Sequence, residues 1–216
     1  MLSKLSNSKV LIPAMIIVAV AAAGAGFYIS LKQSQQARQT RPAIEGLFWP
    51  NPKQIKSFET IDQTGKLFGL EQLQNRWSFV FFGYTHCPDI CPITLSVMAE
   101  MYKNLDDKNN VQIIFVSVDP ERDTTNKLAQ YVTYFNEDFI GLGGTIGQVN
   151  SLTKQIGVAF FHNIEEDSEN YLVDHSASIF LIDPKARMVG KISPPHQAEQ
   201  ITQQFKQIKD YIDAQN

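Results

Sequence analysis

The stretch Phe79-Val80-Phe81-Phe82-Gly83-Tyr84-Thr85-His86-Cys87-Pro88-Asp89-Ile90-Cys91-Pro92 sets the organisation of the chain. Its first six residues are a short apolar run, the pattern of a strand buried on both faces of a sheet. Beyond it, Leu95, Met98, Tyr102 and Leu105 recur at three- and four-residue steps, which predicts a helix with one apolar face. Both cysteines of the protein therefore lie where a buried strand turns into a helix. Pro88 suits the first helical position, having no amide proton to leave unpaired.

Outward from this junction the same two periods alternate. Val111–Val118 reads as a second buried strand stopped by Asp119-Pro120. Asp123 or Thr124 can cap the following helix, where Leu128, Tyr131, Val132 and Phe135 share a face. A short strand near Phe139–Leu142 and a helix over Ile146–Ile156 follow. Ala177–Ile182 is a strand ended by Asp183-Pro184, with Met188–Ile192 as its hairpin partner. Ile201, Phe205, Ile208 and Ile212 mark a closing helix. Strand–helix alternation followed by a hairpin and helix predicts an α/β domain, a mixed sheet with helices on both faces.

The 216 residues, 44% hydrophobic and 19% charged, exclude collagen-like, coiled-coil and disordered chains. Two cysteines cannot staple a disulfide-dense secreted scaffold. The net charge of −3 conceals an asymmetry. Residues 1–41 carry Lys4, Lys9, Lys32, Arg38 and Arg41 and no acidic residue, so the remainder is net −8. An acidic body argues against nucleic-acid binding, which needs clustered Lys and Arg to neutralise phosphates. No charge falls between Val10 and Leu31. Twenty mostly apolar residues, Val10–Ile29, span roughly 30 Å as a helix, the thickness of a bilayer's hydrocarbon core. This predicts a short cytoplasmic N-terminus (1–9), a transmembrane anchor (10–29), a Gln- and Ser-rich polar tether (30–41) and a body (42–216). A cleaved signal peptide with Ala21-Ala22-Ala23 as its small-residue site is the competing reading. Either way the body is exported.

A thiolate at a helix start is stabilised by free amides and the helix dipole. One helical turn separates Cys87 from Cys91, so their sulfurs can meet each other or share one ion. Beside simple packing of two small hydrophobes, three active readings stand: a structural disulfide, a redox dithiol and a metal site. A staple closing so short a loop constrains the unfolded chain little. Redox dithiols usually have two intervening residues rather than three. A metal site needs a further ligand, and two thiolates with an imidazole suit Cu(I), can hold Cu(II) and attract zinc. His175, immediately before the strand 177–182, is the best-placed histidine, because loops at one end of an α/β sheet converge on one crevice. Asp174 can orient its ring or be solvated loop. His86 neighbours Cys87, but adjacent side chains leaving a strand point apart. His162, beside the acidic run Glu165, Glu166, Asp167 and Glu169, and His196, after Pro194-Pro195, read as surface-loop residues. Met98 and Met101 are possible soft ligands, with Met98 read as core by its helical spacing.

Three blocks occur in order: Phe82–Pro92, Val116-Ser117-Val118-Asp119-Pro120-Glu121-Arg122-Asp123-Thr124, and Asp174-His175-Ser176-Ala177. Together they resemble the SCO/SenC family of copper-binding assembly factors, over roughly residues 58–211. The resemblance implies a thioredoxin-like mixed β-sheet flanked by helices, behind one N-terminal transmembrane helix. It also implies copper ligation by Cys87, Cys91 and His175, with the thioredoxin cis-proline position taken by the Asp174-His175-Ser176 loop. Asp119 and Asp123 are expected to brace turns and cap a helix. The implied function is copper delivery to the CuA centre in subunit II of cytochrome c oxidase, with another copper chaperone as a possible donor. The implied location is the inner membrane, single-pass, with the C-terminal domain facing the periplasm. A thiol–disulfide oxidoreductase that uses Cys87 and Cys91 to reduce the cysteines of the same client is the alternative. A peroxidase is disfavoured by Cys91 one turn on and by Pro88 and Pro92.

Overall fold

The computed structural model describes residues 8–39, 42–48, 52–163 and 171–215. The expected acidic run at 165–169, together with Lys4 and Arg41, lies outside the described residues. The chain divides into two compact units between Ala43 and Ile44. The first contains one helix among its described residues, α1 (Ser8–Gln39). Within it Ile12–Gln33 is long and apolar enough to cross a membrane, with mean hydropathy 2.1. The residues expected to form a polar tether are helical as far as Gln39. Gln, Lys, Arg and Ala are good helix formers, so the helix propagates past the end of the apolar run.

The second unit runs β1 (Lys53–Gln54), β2 (Glu59–Asp62), β3 (Leu67–Gly69), α2 (Leu70–Leu73), β4 (Trp77–Gly83), α3 (Ile90–Lys103), β5 (Val111–Ser117), α4 (Thr125–Phe135) and β6 (Ile140–Gly143). It continues with α5 (Ile146–Ile156), β7 (Phe160–Asn163), β8 (Leu172–His175), β9 (Ile179–Ile182), β10 (Arg187–Ile192) and α6 (Ala198–Asp213). Eight strands form one mixed sheet in the order β1-β10-β9-β4-β5-β6-β2-β3, and β7 pairs with β8 apart from it. The strands and helices read from apolar periodicity are all present; the strands agree within two residues at their ends, and Leu105 lies just beyond α3. The short elements between Lys53 and Leu73 and the β7–β8 pair are additions, because none is long enough to show a period.

The centre of the sheet explains its own sequence. β4 and β5 run parallel, in register from Trp77 opposite Val111 to Gly83 opposite Ser117. All seven residues of each are buried, as parallel strands covered on both faces must be. On one face of β4, Trp77 and Phe79 meet Phe205 of α6 edge-on, at ring separations of 5.4 and 5.0 Å. Such edge contacts add to the burial of large aromatic surfaces. Next to β4 on its other side is β9, antiparallel, with Phe81 opposite Ile179. That reversal has a direct consequence for the site: residues just before Ile179 come to the end of the sheet where β4 finishes.

Phe79 is fully buried. Its replacement by alanine is expected to cost about 3–5 kcal/mol, as for other large-to-small aromatic core changes. Urea unfolding checks this, with a lower midpoint at unchanged m.

Candidate metal centre

Gly83 closes β4 and must be glycine. A Cβ at this position would stand 2.8 Å from Cys91 Sγ and 2.7 Å from a ring carbon of Phe115. The chain then turns through Thr85 and His86, with the Cys87 amide donating to the Tyr84 carbonyl at 3.2 Å. Asp123, only 3% exposed, holds this turn. Its carboxylate accepts from the Thr85 amide at 2.9 Å, the Thr85 hydroxyl at 2.6 Å and the Ser117 hydroxyl at 2.6 Å. Asp123 thus braces the cysteine turn against the end of β5. The cap of α4 is Thr124, whose hydroxyl accepts from the Lys127 amide at 3.3 Å. Pro88 is not the first helical residue: α3 begins at Ile90, after Asp89 in a non-helical conformation. Cys87 therefore sits in the turn just ahead of the helix, and the Cys91 amide points at its sulfur over 3.4 Å.

His175 reaches the same place from β8, over the ring of Phe81. It ends β8, where a loop was expected, and lies opposite Phe160 of β7. Its Nε2 is 3.4 Å from Cys91 Sγ, and its Nδ1 is 3.1 Å from the Ser176 carbonyl oxygen. A carbonyl can only accept, so in the neutral ring Nδ1 carries the proton and the Nε2 lone pair faces the sulfurs. Asp174 does not orient the ring: it is exposed and its carboxylate takes the Asn163 amide at 2.8 Å. The rings of Phe81 and Tyr84 stand edge-on to the imidazole at 6.2 and 6.0 Å. Cys87 and Cys91 sulfurs and a His175 nitrogen all lie within 4.8 Å of one another, with Cys91 fully buried and Cys87 9% exposed.

The other candidates are committed elsewhere. His86 is an exposed neighbour of Asp123, its Nδ1 3.6 Å from the carboxylate. His162 is not a surface-loop residue: it lies in β7, partly buried, with Nε2 3.0 Å from the Val118 carbonyl. His196 Nε2 faces the Ala177 carbonyl at 2.7 Å. Met98 and Met101 are fully buried core.

The sulfurs are electrostatically unequal. The Cys91 thiol, hydrogen-bonding to Cys87, pulls the Cys87 pKa down to about 4. Burial opposes this; the amides of Asp89 and Cys91 reinforce it. Cys91 is pushed far above the ordinary thiol range by that same bond to Cys87 and by burial. At neutral pH the pair is one thiolate and one thiol, both cysteines being free of any disulfide. Two soft sulfurs and one imidazole lone pair, converging on one point, form a donor set for a soft cation.

The SCO1/SenC family profile matches residues 50–210. The chain belongs to the SCO1/SenC family. An SCO2-like protein of Rickettsia felis is 37% identical over 65% of this chain and 70% of its own length. Among solved structures, Arabidopsis thaliana ScoI with copper bound is 34% identical, with a TM-score of 0.65 over 73% of this chain and 98% of that one. Yeast Sco1 with copper bound is 29% identical, with a TM-score of 0.66 over 72% of this chain and 88% of that one. The fold is accordingly the thioredoxin-like one of the Sco proteins, as the three sequence blocks implied.

Because the thiolate is the nucleophile, Cys87 should be alkylated by iodoacetamide at a rate that stays level from neutral pH down to about 5 and falls with a midpoint near 4. Cys91→Ala removes the thiol donor and should carry that midpoint upward toward the ordinary thiol range. A midpoint already in that range for the native chain would contradict the thiolate assignment.

Proposed function

We propose that this protein takes up one copper ion through Cys87, Cys91 and His175 and passes it to the CuA site in subunit II of cytochrome c oxidase. In this reading α1 anchors the chain in the inner membrane, residues 42–216 face the periplasm, and another copper chaperone loads the site. The observation that carries the proposal is the convergence of two sulfurs and a lone-pair nitrogen within 4.8 Å.

Each residue has a task. The Cys87 thiolate is ready to bind without losing a proton. Cys91 gives up its proton on metal capture, so uptake is coupled to release of about one proton per ion. His175 offers Nε2 with no tautomer change, because the Ser176 carbonyl already holds the Nδ1 proton. Cys87, at the rim of the cluster, is the ligand an incoming client thiolate displaces first. Transfer then proceeds by ligand exchange down a gradient of affinity, with no covalent bond made or broken.

The low pKa of Cys87 favours a second reading, reduction of the client's own cysteines. The Cys87 thiolate would attack a client disulfide, forming a mixed disulfide and releasing one client thiolate. Cys91, losing its proton, would then attack Cys87 and release the second. Two electrons pass to the client, and a Cys87–Cys91 disulfide remains.

The two readings separate on one variant. Full-length protein loaded with copper in detergent is mixed with the metal-free, reduced CuA domain of subunit II. Copper is expected to appear in the client with the donor's thiols still reduced. His175→Ala should hold copper more weakly yet keep disulfide exchange. Copper that stays on the donor, beside rapid reduction of an oxidised client, would overturn delivery in favour of the reductase.

A further inference from the structure

The second sequence block, Val116–Thr124, supplies no metal-cluster residue, yet two of its acidic side chains are almost wholly buried. Asp123 braces the cysteine turn. Asp119 has a different outlook, toward the strand pair that carries His175. That pair lies outside the eight-stranded sheet and is four residues long on each strand. Phe161, Asn163, Leu172 and Asp174 face solvent, and on the inner face only Val173 is fully buried. A two-stranded ribbon of this size is marginal by itself. It needs fastening if His175 is to stay over the sulfurs.

The fastening is visible. Asp119, with no exposed surface, accepts from the Tyr171 hydroxyl at 2.6 Å and from Arg122 Nε at 2.5 Å. The Arg122 guanidinium lies 3.5 Å above the centre of the Tyr171 ring and 5.6 Å from that of Tyr84. Tyr171 immediately precedes β8, and Tyr84 immediately precedes the cysteine turn. On the other strand, His162 contacts the Val118 carbonyl and stands edge-on to Tyr171 at 5.6 Å. Both strands of the ribbon are therefore tied to one turn, Val118–Arg122, which continues directly from β5. Burial and the bond to Asp119 push the Tyr171 hydroxyl up to about 12, so it remains a donor across the working pH range.

We propose that Asp119, Arg122 and Tyr171 form a clasp that sets copper affinity by positioning His175 over the cysteine pair. None of the three touches the metal-binding atoms; they are positioning residues, and the proposal rests on the reading that His175 holds copper. A chain with the ribbon unfastened has the same ligands but must spend binding energy ordering β8 before the imidazole can engage.

Tyr171→Phe tests this, since it removes the hydroxyl while keeping the ring under Arg122 and leaving Asp119 its charged partner. In the full-length protein, Cu(I) affinity measured by chelator competition is expected to fall about 10-fold, the lower end of the scale for groups that orient a metal ligand. In a His175→Ala background, copper held by the two sulfurs alone should show no further loss on adding Tyr171→Phe. In the metal-free protein, amide hydrogen exchange should accelerate across β7 and β8 and stay unchanged in β4 and β5. Arg122→Gln, which removes the stacked charge, should reproduce the pattern. Unchanged affinity, unchanged exchange in β8, or equal losses with and without His175 would each overturn the clasp. A native chain that holds no copper at all, with exchange behaving as described, would instead overturn the functional reading beneath it.

Discussion

The antiparallel register that sets Phe81 of β4 opposite Ile179 of β9 is the constraint on which the site depends. β4 must deliver Cys87 and Cys91 at its C-terminal end, and β9 must begin at that same end for His175 to arrive there. A parallel β9 would put the imidazole at the opposite pole of the sheet, more than 80 residues along the chain and out of reach. The buried aromatic residues of β4 and the apolar run of β9 hold this register, because a slip of one residue would exchange the side chains packed on the two covered faces of the sheet. Packing of the central strands and chemistry of the site are therefore one problem. Gly83 shows it in miniature, since the sulfur of Cys91 occupies the space its missing side chain leaves.

Within that frame the site is arranged before any metal arrives. The imidazole turns its unprotonated Nε2 to the sulfurs, one sulfur is a thiolate, and the other is a thiol hydrogen-bonded to it. An arrangement paid for by the fold leaves little ordering cost at capture. The inequality of the sulfurs also gives the two halves of the cycle different participants. In the proposed transfer Cys91, fully buried, would be the inner ligand, and Cys87, at the rim, the atom that meets another protein.

Much of this was legible in the chain, and the parts that were not share a cause. Strands β4 and β5 and helices α3 to α6 carry long apolar runs or clear three-and-four spacing, so their period is readable. Strands β1 to β3, β7 and β8 are only two to four residues long; β1 to β3 form by adding to the edges of the sheet, and β7 and β8 by pairing with each other. His175 was identifiable from its place before a buried strand, but its residence at the end of β8 was not, since β8 has no core-facing run of its own. For the same reason His162 reads as surface loop and proves to be half-buried against Val118. Pro88 misleads by a different route: proline tolerates a first helical turn, but here it shapes the bend that lets Cys87 stand ahead of the helix. The role of Asp123 was visible as turn-bracing, whereas its three donors, drawn from two separate strand ends, required the fold.

Copper K-edge absorption of the loaded full-length protein reads the ligand set itself. Two sulfur scatterers and one imidazole nitrogen around a single ion are expected, with the imidazole contribution lost in His175→Ala. A spectrum dominated by oxygen with at most one sulfur, or one that His175→Ala leaves unaltered, would contradict that set.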